Sequence, residues 1–108
     1  MNYTQEERTD YNLHRDNVCR GLGITHNQYN YLRRLGSILH AIYEANCNGT
    51  IEESDYELET SSVYSKCDKY VKYLGLFVYY QADPRGATIY VSENEIPRNN
   101  YTSAYCIY

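Results

Sequence analysis

The sequence predicts an α+β fold in which three helices pack on one face of a small antiparallel sheet of about three strands. Three observations predict this class. Apolar residues recur at helical spacing over the first two thirds of the chain, a strand–turn–strand pattern follows, and the final residues alternate between two faces. At 108 residues the chain has the length of one domain, so we expect residues 1–108 to form a single domain.

Two capping boxes mark the starts of the first two helices. In such a box a Thr side chain accepts a hydrogen bond from the backbone three residues later, where a Glu or Gln reaches back. Residues 4–7 (Thr-Gln-Glu-Glu) and 25–28 (Thr-His-Asn-Gln) fit this pattern and predict helices over about residues 5–20 and 26–47. Gly36 lies inside the second helix, where glycine costs about 1 kcal/mol relative to alanine, so we expect a neighbour to pack closely over it.

The third helix is predicted to follow an acidic loop. Residues 51–60 carry five acidic side chains and no basic one, a composition that is typical of a solvated surface segment. Ser61 or Ser62 then fits the N-cap of a helix that ends near Leu74. Its inward face is predicted from residues at helical spacing, which are Val63, Cys67, Tyr70, Val71 and Leu74.

The chain from Leu74 to Val91 predicts the end of that helix, a strand, a tight turn and a second strand. Gly75 is suited to the left-handed conformation that ends a helix. The segment Asp83-Pro84-Arg85-Gly86 fits a type I turn, since Asp, Pro and Gly occupy the positions that this turn favours. Residues 101–108 alternate and predict a third strand of the same sheet.

Composition limits the classes of partner. The net charge of −4 disfavours a dedicated nucleic-acid binder, because binding to phosphates normally requires a basic surface. Fifteen tyrosines accompany one phenylalanine and no tryptophan, so many tyrosine rings must reach the surface, as they do in protein interfaces. The first residues do not resemble a secretion signal and no apolar run is long enough to cross a bilayer, so we expect a cytoplasmic protein whose four cysteines are reduced and mostly buried.

Patterns that carry known chemistry are missing from the sequence. His14, Cys19 and His26 do not have the short spacings of paired metal ligands, so we predict no metal site and no cofactor. Gly21-Leu22-Gly23 lies between two predicted helices rather than between a strand and a helix, where phosphate-binding glycine loops occur. No nucleophile motif is present, and we predict that the protein is not an enzyme.

One candidate binding site remains at the predicted hairpin. Arg85 lies at the tip of the turn, Asp83 begins the turn, and Tyr80, Gln81 and Tyr90 lie on the adjacent strands. Arg and Tyr are the residues that most often dominate the energetics of protein interfaces. The alternative interpretation is that Asp83 serves only the turn geometry and that Arg85 only keeps the tip soluble.

Several segments resemble a widespread family of small uncharacterised proteins of tailed phages and prophages. The resemblance covers residues 35–91 and rests on Asn46-Cys47-Asn48-Gly49, Leu74-Gly75-Leu76, the segment from Tyr80 to Gly86 that contains Gln-x-Asp-Pro-Arg-Gly, and Tyr90. It implies a protein that acts in the cytoplasm of an infected bacterium. Small acidic phage proteins in that setting often bind and block host defence machinery.

The leading hypothesis is therefore a phage accessory protein that binds a host or phage protein. One such role is the inhibition of host defence, for example by an anti-CRISPR protein. One alternative is a winged-helix-like nucleic-acid binder, in which Lys66, Lys69, Lys72 and Arg85 contact phosphates. Another is a small-molecule or nucleotide binder with Arg85 or Gln81 as its polar anchor. An exposed edge strand and the tyrosine-rich surface also favour a homodimer.

Overall fold

The computed structural model describes residues 5–83, 86–96 and 103–108, and it shows the predicted α+β fold. Three helices come first: α1 (Gln5–Leu22), α2 (His26–Cys47) and α3 (Glu53–Tyr73). Three strands follow: β1 (Phe77–Asp83), β2 (Gly86–Ser92) and β3 (Tyr105–Cys106). The strands form one antiparallel sheet in the order β1-β2-β3.

The start of α2 follows the predicted capping box. The Thr25 side chain accepts from the Gln28 backbone N–H at 3.1 Å, and the Gln28 side chain accepts from the Thr25 backbone N–H at 2.9 Å. At the end of the preceding helix, Gly23 has a φ of 69°, and the N–H of Ile24 donates to the carbonyl of Cys19. This six-residue closure is the Schellman arrangement that ends many helices. The capping residues predicted for α1 at positions 4 and 7 lie outside the residues whose side chains are described.

The prediction of a loop over residues 51–60 is wrong, because α3 already begins at Glu53. Ser61 and Ser62 lie inside this helix rather than at its N-cap. Acidic side chains are favourable in the first turn of a helix, where they interact with the positive end of the helix dipole, and Glu53 and Asp55 occupy that turn. Tyr56 is half-buried against the core, so the first turns of α3 also gain from packing.

The predicted hairpin is confirmed. Gly75 has a φ of 75°, and Leu76 donates its N–H to the carbonyl of Val71, which ends α3 directly before β1. Strands β1 and β2 then pair over their whole length, from Phe77 opposite Ser92 to Asp83 opposite Gly86. Two residues connect them, and the predicted type I conformation of that turn lies outside the described residues.

The third strand is shorter than predicted. Residues 101 and 102 are outside the described residues, 103 and 104 form a turn and a bend, and only Tyr105–Cys106 forms a strand, which pairs with Val91 and Tyr90. The backbone nevertheless stays close to β2, since the Ile107 N–H donates to the Ile89 carbonyl at 2.8 Å. We call residues 105–108 the 105–108 segment.

The core lies between the sheet and the helices. Its fully buried members come from α1, α2, α3, β2 and the 105–108 segment, and they include Val18, Tyr29, Leu32, Cys67, Val71, Ile89, Val91 and Ile107. The inward face predicted for α3 is correct at Val63, Cys67 and Val71, which are buried. The prediction that the cysteines are mostly buried is only partly confirmed: Cys19 and Cys67 are buried, Cys106 is half-buried and Cys47 is exposed.

The 105–108 segment is held against the first two helices. The ring of Tyr108 packs over Gly36, where an added Cβ would lie 2.5 Å from the Tyr108 Cβ, so the predicted close approach at this glycine is confirmed. The Arg33 guanidinium lies between the rings of Tyr11 and Tyr108, 5.2 and 5.0 Å from their centroids. Its Nη1 donates to the carbonyl of Ile107 at 2.9 Å. One α2 side chain thus joins α1 to this segment.

Candidate functional site

The structure separates the hairpin residues that the sequence groups into one patch. Tyr80 pairs with the buried Ile89 and therefore lies on the side of the sheet that faces the helices. Neighbours along a strand point to opposite faces, so Gln81 lies on the other side. Tyr90, which follows Ile89 and pairs with Tyr79, also lies on that other side. Tyr80 is thus not part of one surface with Gln81 and Tyr90.

The tip of the hairpin is placed only in part. Asp83 ends β1 opposite Gly86, which has a φ of 120°. Arg85 and the side chain of Asp83 lie outside what the structure describes. The proposed contact role of Arg85 therefore stays a prediction.

Tyr80 connects β1 to α3. Its hydroxyl donates to Asp68 Oδ1 at 2.6 Å, and its ring meets that of Tyr64 edge-to-face with the centroids 4.6 Å apart. Burial, followed by the hydrogen bond to Asp68, raises the pKa of Tyr80 far above its usual range. The phenol therefore stays protonated and keeps donating, so Tyr80 connects the hairpin to α3.

A shallow depression between α2 and α3 offers a second surface. It has a volume of about 330 Å³ and is lined by Tyr31, Lys66, Lys69, Tyr70 and Tyr73. The rings of Tyr31 and Tyr70 meet edge-to-face at 4.6 Å, and those of Tyr70 and Tyr73 stack with centroids 6.3 Å apart. Tyr73 is 80% exposed near the end of α3, whereas Tyr31 and Tyr70 are half-buried against the core. We call these five residues the tyrosine–lysine depression.

Helical spacing explains how α3 builds its side of the depression. Lys66, Lys69 and Tyr73 are separated by three and four residues, so they share one face of the helix. Tyr31 comes from α2 and closes the opposite side. Burial, with smaller contributions from the neighbouring Tyr31 and Tyr73, raises the pKa of Tyr70, so its hydroxyl remains neutral at physiological pH.

The two lysines of the depression are available to a ligand. Lys66 and Lys69 are exposed, and neither forms an ion pair with a carboxylate among the described residues. Ammonium groups beside aromatic rings suit a segment that presents carboxylates next to apolar or aromatic side chains. The site can therefore recognise an acidic surface by charge and hold it by apolar contact.

One candidate for a reactive centre lies where α1 meets α2 and consists of His26, Asp16 and Cys19. His26 Nε2 lies 3.0 Å from Asp16 Oδ1, and both side chains are exposed. The nearby Cys19 thiol donates to the Thr25 carbonyl, and burial raises the pKa of this thiol. A catalytic cysteine needs the opposite shift. Across residues 5–83, 86–96 and 103–108, no three His, Cys, Asp or Glu side chains cluster as metal ligands would.

No protein-family model matches the chain, and the curated proteins and solved structures contain no match to it. The resemblance to tailed-phage proteins is therefore still a prediction. None of the described helices is both long enough and apolar enough to cross a membrane.

Sequence reasoning missed the tyrosine–lysine depression as a site. It assigned Tyr70 to the inward face of α3 and the lysines to a phosphate-contacting role in the winged-helix alternative. The spacing of Lys66, Lys69 and Tyr73 could have indicated a common face. Tyr31 could not have been added, because it precedes Tyr70 by a whole helix and their meeting depends on how α2 and α3 pack.

Proposed function

We propose that the protein acts by binding another protein, and that the tyrosine–lysine depression is its contact surface for an acidic segment of that partner. In line with the phage resemblance, the proposed partner is a host or phage protein in the bacterial cytoplasm, and the proposed role is that of an accessory protein such as an inhibitor of host defence. The observation that supports this function is the group of three tyrosine rings, two half-buried and one exposed, beside two exposed lysines that lack ion-pair partners in the described structure.

The charge distribution favours a protein over a nucleic acid as the partner. In a helix-turn-helix protein, the N-terminal residues of the recognition helix approach the DNA bases. The corresponding part of α3 carries Glu52 at its N-cap, Glu53 and Asp55 in its first turn, and Glu57 and Glu59 beyond it. These carboxylates would face phosphates and repel them, which weighs against the winged-helix alternative.

The shape of the depression favours a macromolecule over a small ligand. Sites for small molecules are usually concave enough to bury most of the ligand surface. The tyrosine–lysine depression is shallow and open to solvent, with Tyr73 largely exposed at its edge. Such a surface suits the side chains of a larger partner.

A pair of matched charge reversals on α3 tests the proposal. Lys69 lines the depression. Lys72 is an exposed lysine of the same helix that does not line it. Tagged wild-type protein, Lys69→Glu and Lys72→Glu are each incubated with lysate of a bacterial host, and the captured proteins are quantified by mass spectrometry. We expect the wild type and Lys72→Glu to capture similar amounts of a specific partner. Lys69→Glu should reduce the captured amount about tenfold or more.

Two further measurements distinguish another contact surface and another class of partner. Capture that is equal for Lys69→Glu and the wild type, but is lost in Arg85→Ala, would move the contact surface from the depression to the hairpin tip. A gel shift with duplex DNA that weakens steeply as salt rises would replace the protein partner by a nucleic acid.

A further inference from the structure

The exposed face of α3 changes sign halfway along the helix. One line of residues has alternating intervals of four and three residues, which keep its members on one side of the helix. All six members of this line are exposed. In order they are Asp55, Glu59, Ser62, Lys66, Lys69 and Tyr73. We call this line the α3 seam; its first two residues are acidic and its last three form part of the tyrosine–lysine depression.

We propose that the α3 seam binds the α3 seam of a second copy of this chain in antiparallel orientation. The inference rests on the proposed function, because it names a second copy as an occupant of the same depression. A host or phage protein would then compete with this copy for Lys66 and Lys69.

The spacing makes the seam complementary to itself. The intervals between its members are four, three, four, three and four residues, whether counted from Asp55 or from Tyr73. A two-fold axis near the centre of the seam therefore brings every residue opposite another seam residue. Glu59 then faces Lys69 of the second copy, and Asp55 faces the hydroxyl of its Tyr73. Ser62 lies opposite Lys66 and leaves room for the longer side chain.

The same charges exclude a parallel pair. In parallel orientation each residue faces its own equivalent, so Glu59 would meet Glu59 and Lys69 would meet Lys69. Like charges placed directly opposite each other are destabilising. The sign change along α3 therefore selects the antiparallel arrangement.

Exposed apolar surface adds to the charge pairing. Leu58 and Tyr73 are the two most exposed large hydrophobic residues among those described, at 70% and 80%. Leu58 lies beside the seam between Asp55 and Glu59, at the level where the Tyr73 ring of the second copy would lie. Two-fold symmetry forms this contact twice, so association removes four exposed hydrophobic side chains from water.

A charge-exchange series tests the antiparallel pair. The variants are Lys69→Glu, Glu59→Lys, the double variant with both exchanges, and Lys72→Glu as a control outside the seam. Sedimentation equilibrium over a concentration series gives the dimer dissociation constant of each, and circular dichroism checks that each is folded. The three substituted side chains, Glu59, Lys69 and Lys72, are exposed, so the exchanges leave the core unchanged.

We expect the wild type and Lys72→Glu to dimerise with equal affinity and to weaken as salt rises. Each single exchange should raise the dissociation constant about tenfold or more, because it creates two like-charge contacts. Mixing the two single variants should restore a dimer, and the double variant should dimerise by itself. Only the antiparallel arrangement predicts both the loss in each single variant and the recovery in the double variant, because in a parallel pair all of these variants have the same two like-charge contacts as the wild type.

A wild type that is monomeric at every concentration would overturn the inference, as would a dimer that Lys69→Glu leaves intact or that the double variant fails to restore. Equal weakening by Lys72→Glu would also overturn it. The proposed function is judged separately. If the protein is monomeric but captures a partner in a manner that depends on Lys69, the proposed function stands and the dimer does not. If the α3 seam forms the dimer but partner capture does not depend on Lys69, the self-association stands and the proposed function does not.

Discussion

Tyr80 shows at the scale of one residue how a polar group can hold two elements together without serving a ligand. Its ring is packed against Tyr64, and its hydroxyl reaches the exposed Asp68 carboxylate on α3. The hydrogen bond satisfies a phenol that would otherwise be costly to bury. Burial and, to a smaller extent, this hydrogen bond raise the pKa of Tyr80, so the stability of the fold depends on pH.

We predict that the free energy of unfolding falls as pH rises above about 10, the usual pKa of tyrosine. The folded-state pKa of Tyr80 is raised, so the folded chain keeps a proton that the unfolded chain loses. Stability from this group is fully present below about pH 10 and is lost progressively as pH rises above that value. Urea denaturation at a series of alkaline pH values measures the slope.

Two variants separate the contribution of Tyr80 from those of other tyrosines. Burial also raises the pKa values of Tyr29 and Tyr64, so Tyr80→Phe should reduce the slope without abolishing it. Tyr73→Phe, at a position that is 80% exposed, should change the slope less than Tyr80→Phe does, because Tyr73 makes only a smaller contribution to the raised pKa of Tyr70. An identical slope in Tyr80→Phe and the wild type would contradict this account.

At the scale of the elements, the start of α3 is poorly capped. Glu52 occupies the N-cap with extended backbone angles, φ −74° and ψ 153°, but its side chain makes no capping hydrogen bond. A serine hydroxyl fits this geometry and can accept from the first-turn N–H groups, whereas the longer Glu side chain does not. The helix therefore begins with unsatisfied donors that a substitution can satisfy.

We predict that Glu52→Ser raises the free energy of unfolding by about 0.5–1 kcal/mol. The stabilisation by the new capping hydrogen bond is larger than the stabilisation lost when a negative charge is removed from the helix N-terminus. Glu57→Ser is the matched control: it removes the same charge at an exposed position inside the helix, and it should be neutral or slightly destabilising. Chemical denaturation of both variants measures the difference, and equal effects would argue against α3 beginning at Glu53.

Local chemistry explains which elements the sequence predicts well. The second helix begins where Thr25 and Gln28 form their capping box, and α3 ends where Gly75 adopts a positive φ, because both signals lie within a few residues of the boundary. The predicted start of α3 is wrong because the acidic composition of residues 51–60 favours a loop, whereas their apolar spacing favours a helix. Tyr56 and Thr60 extend the spacing of Val63 toward the N-terminus, and that signal was present in the sequence.

The candidate site was predictable only within single elements. Strand alternation alone places Tyr80 and Gln81 on opposite faces, so the sequence could have separated them. The meeting of Tyr31 with Tyr70 depends on the packing of two helices, which no local pattern encodes. The short third strand has a similar cause, since its pairing with β2 depends on contacts with distant parts of the chain.

At the scale of the whole molecule, the 105–108 segment completes the core. Ile107 is fully buried, and its backbone bonds to both Ile89 of β2 and Arg33 of α2. His14 on α1 adds a hydrogen bond between its Nε2 and the carbonyl of Cys106 at 2.9 Å. Two helices and the sheet therefore share one short segment as a common contact.

We predict that Ile107→Ala lowers the free energy of unfolding by about 2–5 kcal/mol, because it leaves a cavity at a fully buried position. Ile38→Ala makes the same exchange at a position that is 40% exposed and should cost less than about 1 kcal/mol. Thermal or chemical denaturation measures both. Equal losses in the two variants would contradict the central position of Ile107 in the core.

The placement of the 105–108 segment also has a consequence for the order of folding. The α2–α3 pair and the β1–β2 hairpin join neighbours in sequence, whereas the His14–Cys106 and Arg33–Ile107 contacts span 92 and 74 residues. The entropy of closing a loop grows with its length, and contacts between distant residues slow folding. We therefore expect the two local hairpins to form early in refolding, and the rate of the final step to be set by the search of the 105–108 segment for its place beside β2.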